Sequence, residues 1–321
     1  SEQARNAAHY IAQELAPIQA RFQEFEMGPE KRVCRNVIGV VQGTSVPDEA
    51  VVIGAHYDHL GPGFPGADDN ASGVAVLLAA AEELAKNPPK RTVVFAAFSG
   101  EEIGLWGSKK YVEAPPVPLA QTVAMINLDM VGRMRDRKLS VIGVDTAGDW
   151  EEVLKGATSL TVVTGKGGVG PSDHTSFYLK GIPVLHLFTG AHGDYHAKTD
   201  TAEKLNYEGM REIADLVVTL VRRLGERPGR MTYQKSAATL QAHEGEAPGE
   251  RPYLGGMPEY TFSGPGVQIA GVIPGSPAEK SGLEEGDVIV AVDGKPVQDV
   301  EEYSRIFFSH KPGDTITLTV Q

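Results

Sequence analysis

The stretch GAHYDHLGPGFPGADDNASG, Gly54–Gly73, sets two histidines and three aspartates among five glycines. Further along, Glu101 and Glu102 stand together in FSGEE, Asp129 lies in NLDMVGR and His196 in YHAKTD. Imidazole and carboxylate groups can bind metal or move protons. Taken singly, each motif has a plainer reading. HYDH suits a solvated surface loop, and paired glutamates usually sit on solvated helix ends. Their places relative to the apolar runs argue otherwise. His56 follows VVIGA, Asp69 just precedes a helix opening at Ser72, and Glu101 and Glu102 follow TVVFAAF. Asp129 ends VAMINL, and His196 lies in the loop after IPVLHLF. If these strands run parallel, all six groups collect at the carboxyl edge of one sheet, where open α/β sheets place their ligand sites.

Four carboxylates packed there would repel and raise each other's pKa. A cation resolves that. Two histidines and three carboxylates suit zinc, whose usual ligands are N, O and S donors. Five ligands exceed one tetrahedral ion and fit two ions that share a carboxylate, as in the paired-metal hydrolases. Three ligand carboxylates against two Zn²⁺ leave one positive charge, which the fourth carboxylate balances. Spacing alone thus points to a metal hydrolase.

The elements that must position these groups alternate. Ala7, Ile11 and Leu15 recur at helical spacing near the start. NVIGVVQG, AVVIGAH, RTVVFAAF, TVAMINLDM, KLSVIGV and GIPVLHLF read as strands. Between them SGVAVLLAAAEELAKN, stopped by Pro88 and Pro89, IGLWGSKKYVE and GDWEEVLKGAT read as helices, and YEGMREIADLVVTLVRRLG closes the series as a long amphipathic one. The pattern predicts an α/β fold with helices on both faces of the sheet. After Leu224 the texture turns to Pro, Gly and charge, which reads as a linker over 226–251. Short strands return over 252–321: GVQIAGVI, DVIVAVDGKPV and DTITLTV, with helices over PAEKSG and VEEYSRIFF. The expected domains are therefore 1–225 and 252–321.

Composition narrows the partners. The chain has 321 residues and a formal net charge of −12, with a sequence pI near 5.3. Such a chain is no candidate for nucleic acid or an anionic membrane surface. The single cysteine, Cys34, excludes an internal disulfide framework and reads as a packed residue. No apolar run reaches the roughly 18 residues of a membrane span, and the opening SEQARNAAHYIAQELA has no signal-peptide core.

HYD, DDNASG (69 − 56 = 13 positions on), SGEEIGLWGS, NLDMVGR, SDHTSF and YHAKTD occur in that order. Over roughly 4–224 the chain resembles the co-catalytic di-zinc exopeptidases, which include bacterial leucyl aminopeptidases, glutamate carboxypeptidase and the transferrin receptor. The resemblance implies a three-layer α/β/α sandwich with a mixed, mostly parallel sheet, two Zn²⁺ per chain, and peptide substrates with a free N-terminus. On it, His56 and Asp129 would hold the first zinc, Glu102 and His196 the second, and Asp69 would bridge them. Glu101 would be the general base, Tyr195 would stabilise the oxyanion, and Asp58 would hold the His56 imidazole. His59 and His174 are expected to be structural or to support the ligands, and His186 to be packed. Asp200 is expected to pin the His196 loop, and Asp68 to be a bystander. Export to the periplasm or the extracellular space follows by analogy with relatives, with any signal peptide already removed. The other activities on this scaffold are a carboxypeptidase or dipeptidase, a glutaminyl-cyclase-like transferase and a non-catalytic binding protein. The complete ligand set argues against the last two. The lack of an obvious basic cluster for a substrate carboxylate argues against the first.

The C-terminal part, through YLGGMPEY, GVQIAGVIPGSPAEKSGLEEGDVIVAVDGKPV and KPGDTITLTV, resembles a PDZ domain of the circularly permuted bacterial kind. That resemblance implies a loop of Tyr253, Leu254, Gly255 and Gly256 that cradles a peptide's C-terminal carboxylate while the peptide adds a strand. The chain stops at Gln321 inside what reads as a strand, so a further strand is expected beyond it.

Overall fold

The computed structural model describes residues 2–27 and 31–236, and of 252–321 all but 253, 259–261, 263, 273–275, 299, 308 and 312. The chain forms two compact units, Ser1–Thr189 with Lys198–Ser236, and Gly190–Ala197 with Ala237–Gln321.

The first unit is built on eight strands: β1 (Arg21–Met27), β2 (Arg32–Val41), β3 (Val46–His56), β4 (Arg91–Phe98), β5 (Thr122–Leu128), β6 (Lys138–Ile142), β7 (Thr161–Gly165) and β8 (Val184–Phe188). They form one sheet in the order β1-β2-β4-β3-β5-β8-β6-β7. The middle run β4-β3-β5-β8 is parallel, while β1, β2 and β6 enter by antiparallel pairs. The mixed sheet and its helical layers bear out the expected α/β/α sandwich. Its helices are α1 (Glu2–Glu14), α2 (Gly73–Lys86), α3 (Trp106–Glu113), α4 (Trp150–Leu154), α5 (His174–Tyr178) and α6 (Tyr207–Glu226). On one face Ile11 of α1, Leu77 and Leu84 of α2, Trp150 of α4 and Leu220 of α6 pack on Val51, Ile53, Phe95 and Ile126. On the other, Tyr111 of α3 and Phe177 of α5 pack on Val52, Phe98 and Met125. Strands covered on both sides have no wet face. Hence β4 and β5 are buried along their whole lengths and read as largely apolar runs, VVFAAF and VAMI at their centres.

Register then makes the site edge. His56 lies opposite Phe98 across β3 and β4, and Gly54 opposite Asn127 across β3 and β5. The three strands therefore end at one level, and the segments carrying Glu101, Glu102 and Asp129 leave the same edge as His56. Two strands escaped the sequence reading. β1 and β7 flank the sheet as edge strands, with only Phe25 of β1 buried and no residue of β7 fully so. With so little buried surface they leave no apolar alternation to read.

The expected boundary at 225 is passed. Arg91, buried and paired with Glu49 at 2.6 Å, donates to the carbonyls of Leu224, Arg227 and Gly229 and so caps the end of α6. Gln234 N–H then bonds the Thr146 carbonyl at 2.8 Å, and Ser236 N–H bonds the Tyr178 hydroxyl at 2.7 Å. Residues 237–251 of the expected linker lie outside the described residues.

In the second unit β9 (Gly256–Pro258), β10 (Val267–Val272), β11 (Val288–Val292), β12 (Lys295–Pro296) and β13 (Leu318–Val320) pair antiparallel. Helices α7 (Pro277–Lys280) and α8 (Val300–Phe307) join them, the first capped by the Ser276 hydroxyl. Val267, Ile269, Ile289, Tyr303 and Phe307 make its core. Of the expected carboxylate loop, Tyr253 lies outside the described residues; Leu254 lines a cavity of about 570 Å³ with Leu283, Phe307 and Ile316. Among the described residues no helix is long and apolar enough to cross a membrane.

Gly54 allows the sheet to close around the site strand. A Cβ there would lie 2.5 Å from Phe98 and 2.7 Å from Met125. Gly54→Ala is expected to cost about 1–3 kcal/mol by overpacking, seen as a melting temperature lowered by several degrees. An unchanged melting curve would show that the two side chains give way freely.

Candidate metal centre

His56 ends β3 and is buried. Its Nε2 lies 3.3 Å from Asp69 Oδ1 and 3.4 Å from Asp129 Oδ1. Its Nδ1 faces Asp58, 3.2 Å from the backbone carbonyl and 3.9 Å from the carboxylate. A carbonyl can only accept, so Nδ1 carries the hydrogen and Nε2 turns its lone pair toward two carboxylates. Lone pair and anions repel unless a cation or a proton lies between them. Asp58 was expected to hold the imidazole; its nearer contact with the ring is through the main chain. Its carboxylate instead accepts the N–H groups of Glu101 at 3.2 Å and Glu102 at 3.4 Å, and so sets the turn that presents both glutamates.

Asp69 sits in the segment Ala67–Ser72 ahead of α2, where its own backbone (φ −105°, ψ 87°) and that of Asn70 (φ −137°, ψ 43°) depart from helical geometry. Two sets of ligand atoms form here. His56, Glu101 and Asp129 make one, and Asp69, Glu102 and His196 the other, each with its atoms within 4.8 Å of one another. Asp69 of the second set approaches His56 of the first at 3.3 Å. All six groups singled out in the sequence thus fall into two neighbouring clusters. Tyr195 stacks its ring on that of His196, with centroids 3.8 Å apart.

The electrostatics record the crowding. Burial lowers the His56 pKa, but the charges of Asp129 and Glu101 and hydrogen bonds with Asp129 and Asp69 outweigh it and hold the ring well above its ordinary value. Glu101 is raised well above the carboxylate range, first by burial and then by Asp129, Asp173 and Glu102, with His56 opposing. Burial also raises Asp58. Such a set binds protons where a cation would serve better.

One neighbour had no role assigned from the sequence. Asp173, in SDHTSF, is fully buried, and burial pushes its carboxyl up to about 7. His174 and His186 stack at 4.6 Å, and burial depresses both so that they stay neutral. This agrees with their reading as supporting and packed residues. The only sign of Asp173 in the sequence was its place in an ordered motif, since burial cannot be read from one aspartate before a short helix. His59 accepts the Gly61 N–H at 3.1 Å within its own loop. Asp200 was expected to pin the His196 loop; its carboxylate accepts the N–H groups of Asp68 and Asp69. Asp68, read as a bystander, accepts the Gly132 N–H at 2.6 Å.

Residues 36–221 match peptidase family M28, and 268–321 match the PDZ domain. The chain is 32% identical over 205 residues to aminopeptidase YwaD of Bacillus subtilis (strain 168), covering 58% of this chain and 44% of that protein. Among solved structures it is similar to BSAP, a zinc aminopeptidase from Bacillus subtilis, with TM-score 0.55 and 29% identity over 62% of this chain and 52% of that one. It is also similar to the Legionella pneumophila LapA aminopeptidase, with TM-score 0.58 and 26% identity over 71% of this chain and 64% of that one. The chain spans about half the length of the curated relatives it matches. With more than half of its length matched by one family, and with that match spanning all six converging groups, this chain belongs to peptidase family M28.

Proposed function

We propose that this chain is an aminopeptidase that holds two zinc ions and removes the N-terminal residue of peptides. The observation that carries the reading is the pair of ligand clusters joined by Asp69. The donor set fits the metal. Imidazole nitrogen and carboxylate oxygen are zinc donors, and His56 Nε2 faces the carboxylates of Asp69 and Asp129. His56 and Asp129 would hold one ion, Glu102 and His196 the other, with Asp69 shared. Bound there, the ions supply Lewis acidity and a water of lowered pKa.

The chain's own groups do the rest. Glu101, with its proton affinity raised by burial and by neighbouring carboxylates, takes the proton of the attacking water on its carboxylate. It then returns that proton to the leaving amine. Asp58 holds the Glu101–Glu102 turn through two backbone N–H groups, so the base keeps its aim. The family resemblance supports Tyr195 as the hydroxyl that faces the oxyanion. The carboxylates gathered at the site favour a substrate amino group over a carboxylate, which supports an N-terminal rather than a C-terminal exopeptidase. In the second unit, Leu254, Gly255 and Gly256, with Tyr253, would receive a peptide C-terminus.

A panel of free-amino and N-acetyl peptides, with zinc measured on the same sample, tests the proposal. Hydrolysis of free-amino peptides alone, with two zincs per chain, is expected; cleavage of blocked peptides or the absence of zinc would overturn it. Glu101→Gln should keep both zincs and lose at least ~100-fold in kcat, whereas Glu102→Ala should lower zinc content as well. Near-normal turnover in the first, or full zinc in the second, would reverse those assignments.

Stability should respond to pH in opposite senses with and without metal. The raised folded pKa of His56 lends stability that is full below its ordinary value and is lost as pH rises through the raised one. Glu101, and Asp173 at about 7, also titrate higher in the folded chain, so ionising them costs stability as pH rises. Acidification therefore favours the metal-free protein, while protons compete with metal for the same side chains. The melting-temperature gap between zinc-loaded and chelated protein should be widest at about pH 8 and shrink toward about pH 5. A gap that widens on acidification would contradict the assigned ligands.

A further inference from the structure

Three consecutive backbone N–H groups converge on one residue. Ala67 N–H bonds the Asp200 carbonyl at 3.3 Å. Asp68 and Asp69 N–H bond the same carboxylate oxygen, Asp200 Oδ2, at 2.9 and 3.1 Å. Asp200 is buried, and its other oxygen lies 4.0 Å from Arg133. A charged acceptor on two N–H groups makes bonds of the stronger, charge-assisted kind. In YHAKTD, Asp200 comes four positions after His196 (200 − 196 = 4).

The far side of the same turn is tied as tightly. Asn70 accepts the Met130 N–H at 3.1 Å and donates to the Leu128 carbonyl at 2.9 Å. Ser72 accepts the Val131 N–H at 3.0 Å and donates to the Asp68 carbonyl at 2.7 Å. Asp68 accepts the Gly132 N–H at 2.6 Å. The side chains at 68, 70 and 72 therefore grip the backbone on either side of Asp129. Glycine at 132 permits the approach, since a Cβ there would lie 2.8 Å from Asp68 Oδ1 and from Ser72 Cβ. None of these bonds needs a metal.

We propose that Asp200 is a positioning residue for Asp69, and that with Asp68, Asn70 and Ser72 it sets the spacing of Asp69 and Asp129 before metal arrives. The inference rests on the reading of Asp69 as the shared zinc ligand. Asp200 does not touch metal or substrate. It fixes the backbone from which Asp69 projects, so the two carboxylates meet the ions without a conformational search. Supporting groups of this kind typically govern 10- to 100-fold in metal affinity.

The test uses the full chain. Zinc affinity is measured by competition with a chromophoric chelator, and the cobalt-substituted protein gives the ligand field as a visible spectrum. Asp200→Asn keeps one acceptor oxygen but loses the charge. It should bind at least one zinc roughly 10- to 100-fold more weakly and shift the cobalt spectrum, measured well below its melting temperature. A purely structural role would lower the melting temperature and leave both unchanged, and that result overturns the proposal. Should the variant fail to fold, hydrogen exchange on the wild-type chain decides. The amides of Asp68 and Asp69 should be protected in metal-free protein as they are with zinc; fast exchange relieved only by zinc would overturn the proposal. Wild-type protein that takes up fewer than two zincs would instead defeat the shared-ligand reading beneath it.

Discussion

Like charges collected at one sheet edge repel, and the architecture around this site is a response to that repulsion. Asp69, Glu101, Glu102 and Asp129 share a small volume with His56. Their crowding shows in the upward displacement of His56 and Glu101 from their ordinary pKa values. A free chain would let such groups drift apart. Here the parallel strands β3, β4 and β5 end at one level, so the groups that follow them have little freedom to separate. A cation turns the same arrangement from a cost into a binding site.

Holding repelling groups together requires neutral or complementary groups behind them. Backbone N–H groups do much of this work. Asp58 takes two of them and Asp200 two more. Each bond removes a carboxylate from the list of candidate ligands and makes it a brace for a ligand nearby. The chain thus divides its acidic residues into those that face the shared volume and those that anchor it. The division follows hydrogen bonds and cannot be inferred from residue type.

Asp58, Glu101 and Asp200 lie on loops, and the scaffold behind them is closely packed. β4 and β5 are buried throughout, and Gly54 allows Phe98 and Met125 to close on β3. The end of α6 is fastened by Arg91 to the start of β4. That fastening carries the first unit through Ser236. A Pro- and Gly-rich composition after Leu224 suggested a linker at once, but an extended segment can dock by backbone hydrogen bonds without any apolar periodicity.

Much is legible in the sequence alone. Apolar runs too short for helices marked the central strands. Acidic and histidine residues just past their ends marked the site, because a parallel sheet sends every strand end to the same edge. His56, Asp69, Glu101, Glu102, Asp129 and His196 could be named on that ground alone. The edge strands β1 and β7 could not, because an element with one residue buried, or none, leaves no pattern. Nor could the roles of Asp58, Asp68, Asp173 and Asp200. Side-chain chemistry and spacing along the chain determine which groups can bind a metal. Which of them face it, and which turn aside to hold a backbone N–H, was decided only by tertiary structure, because a hydrogen bond depends on where two distant segments meet.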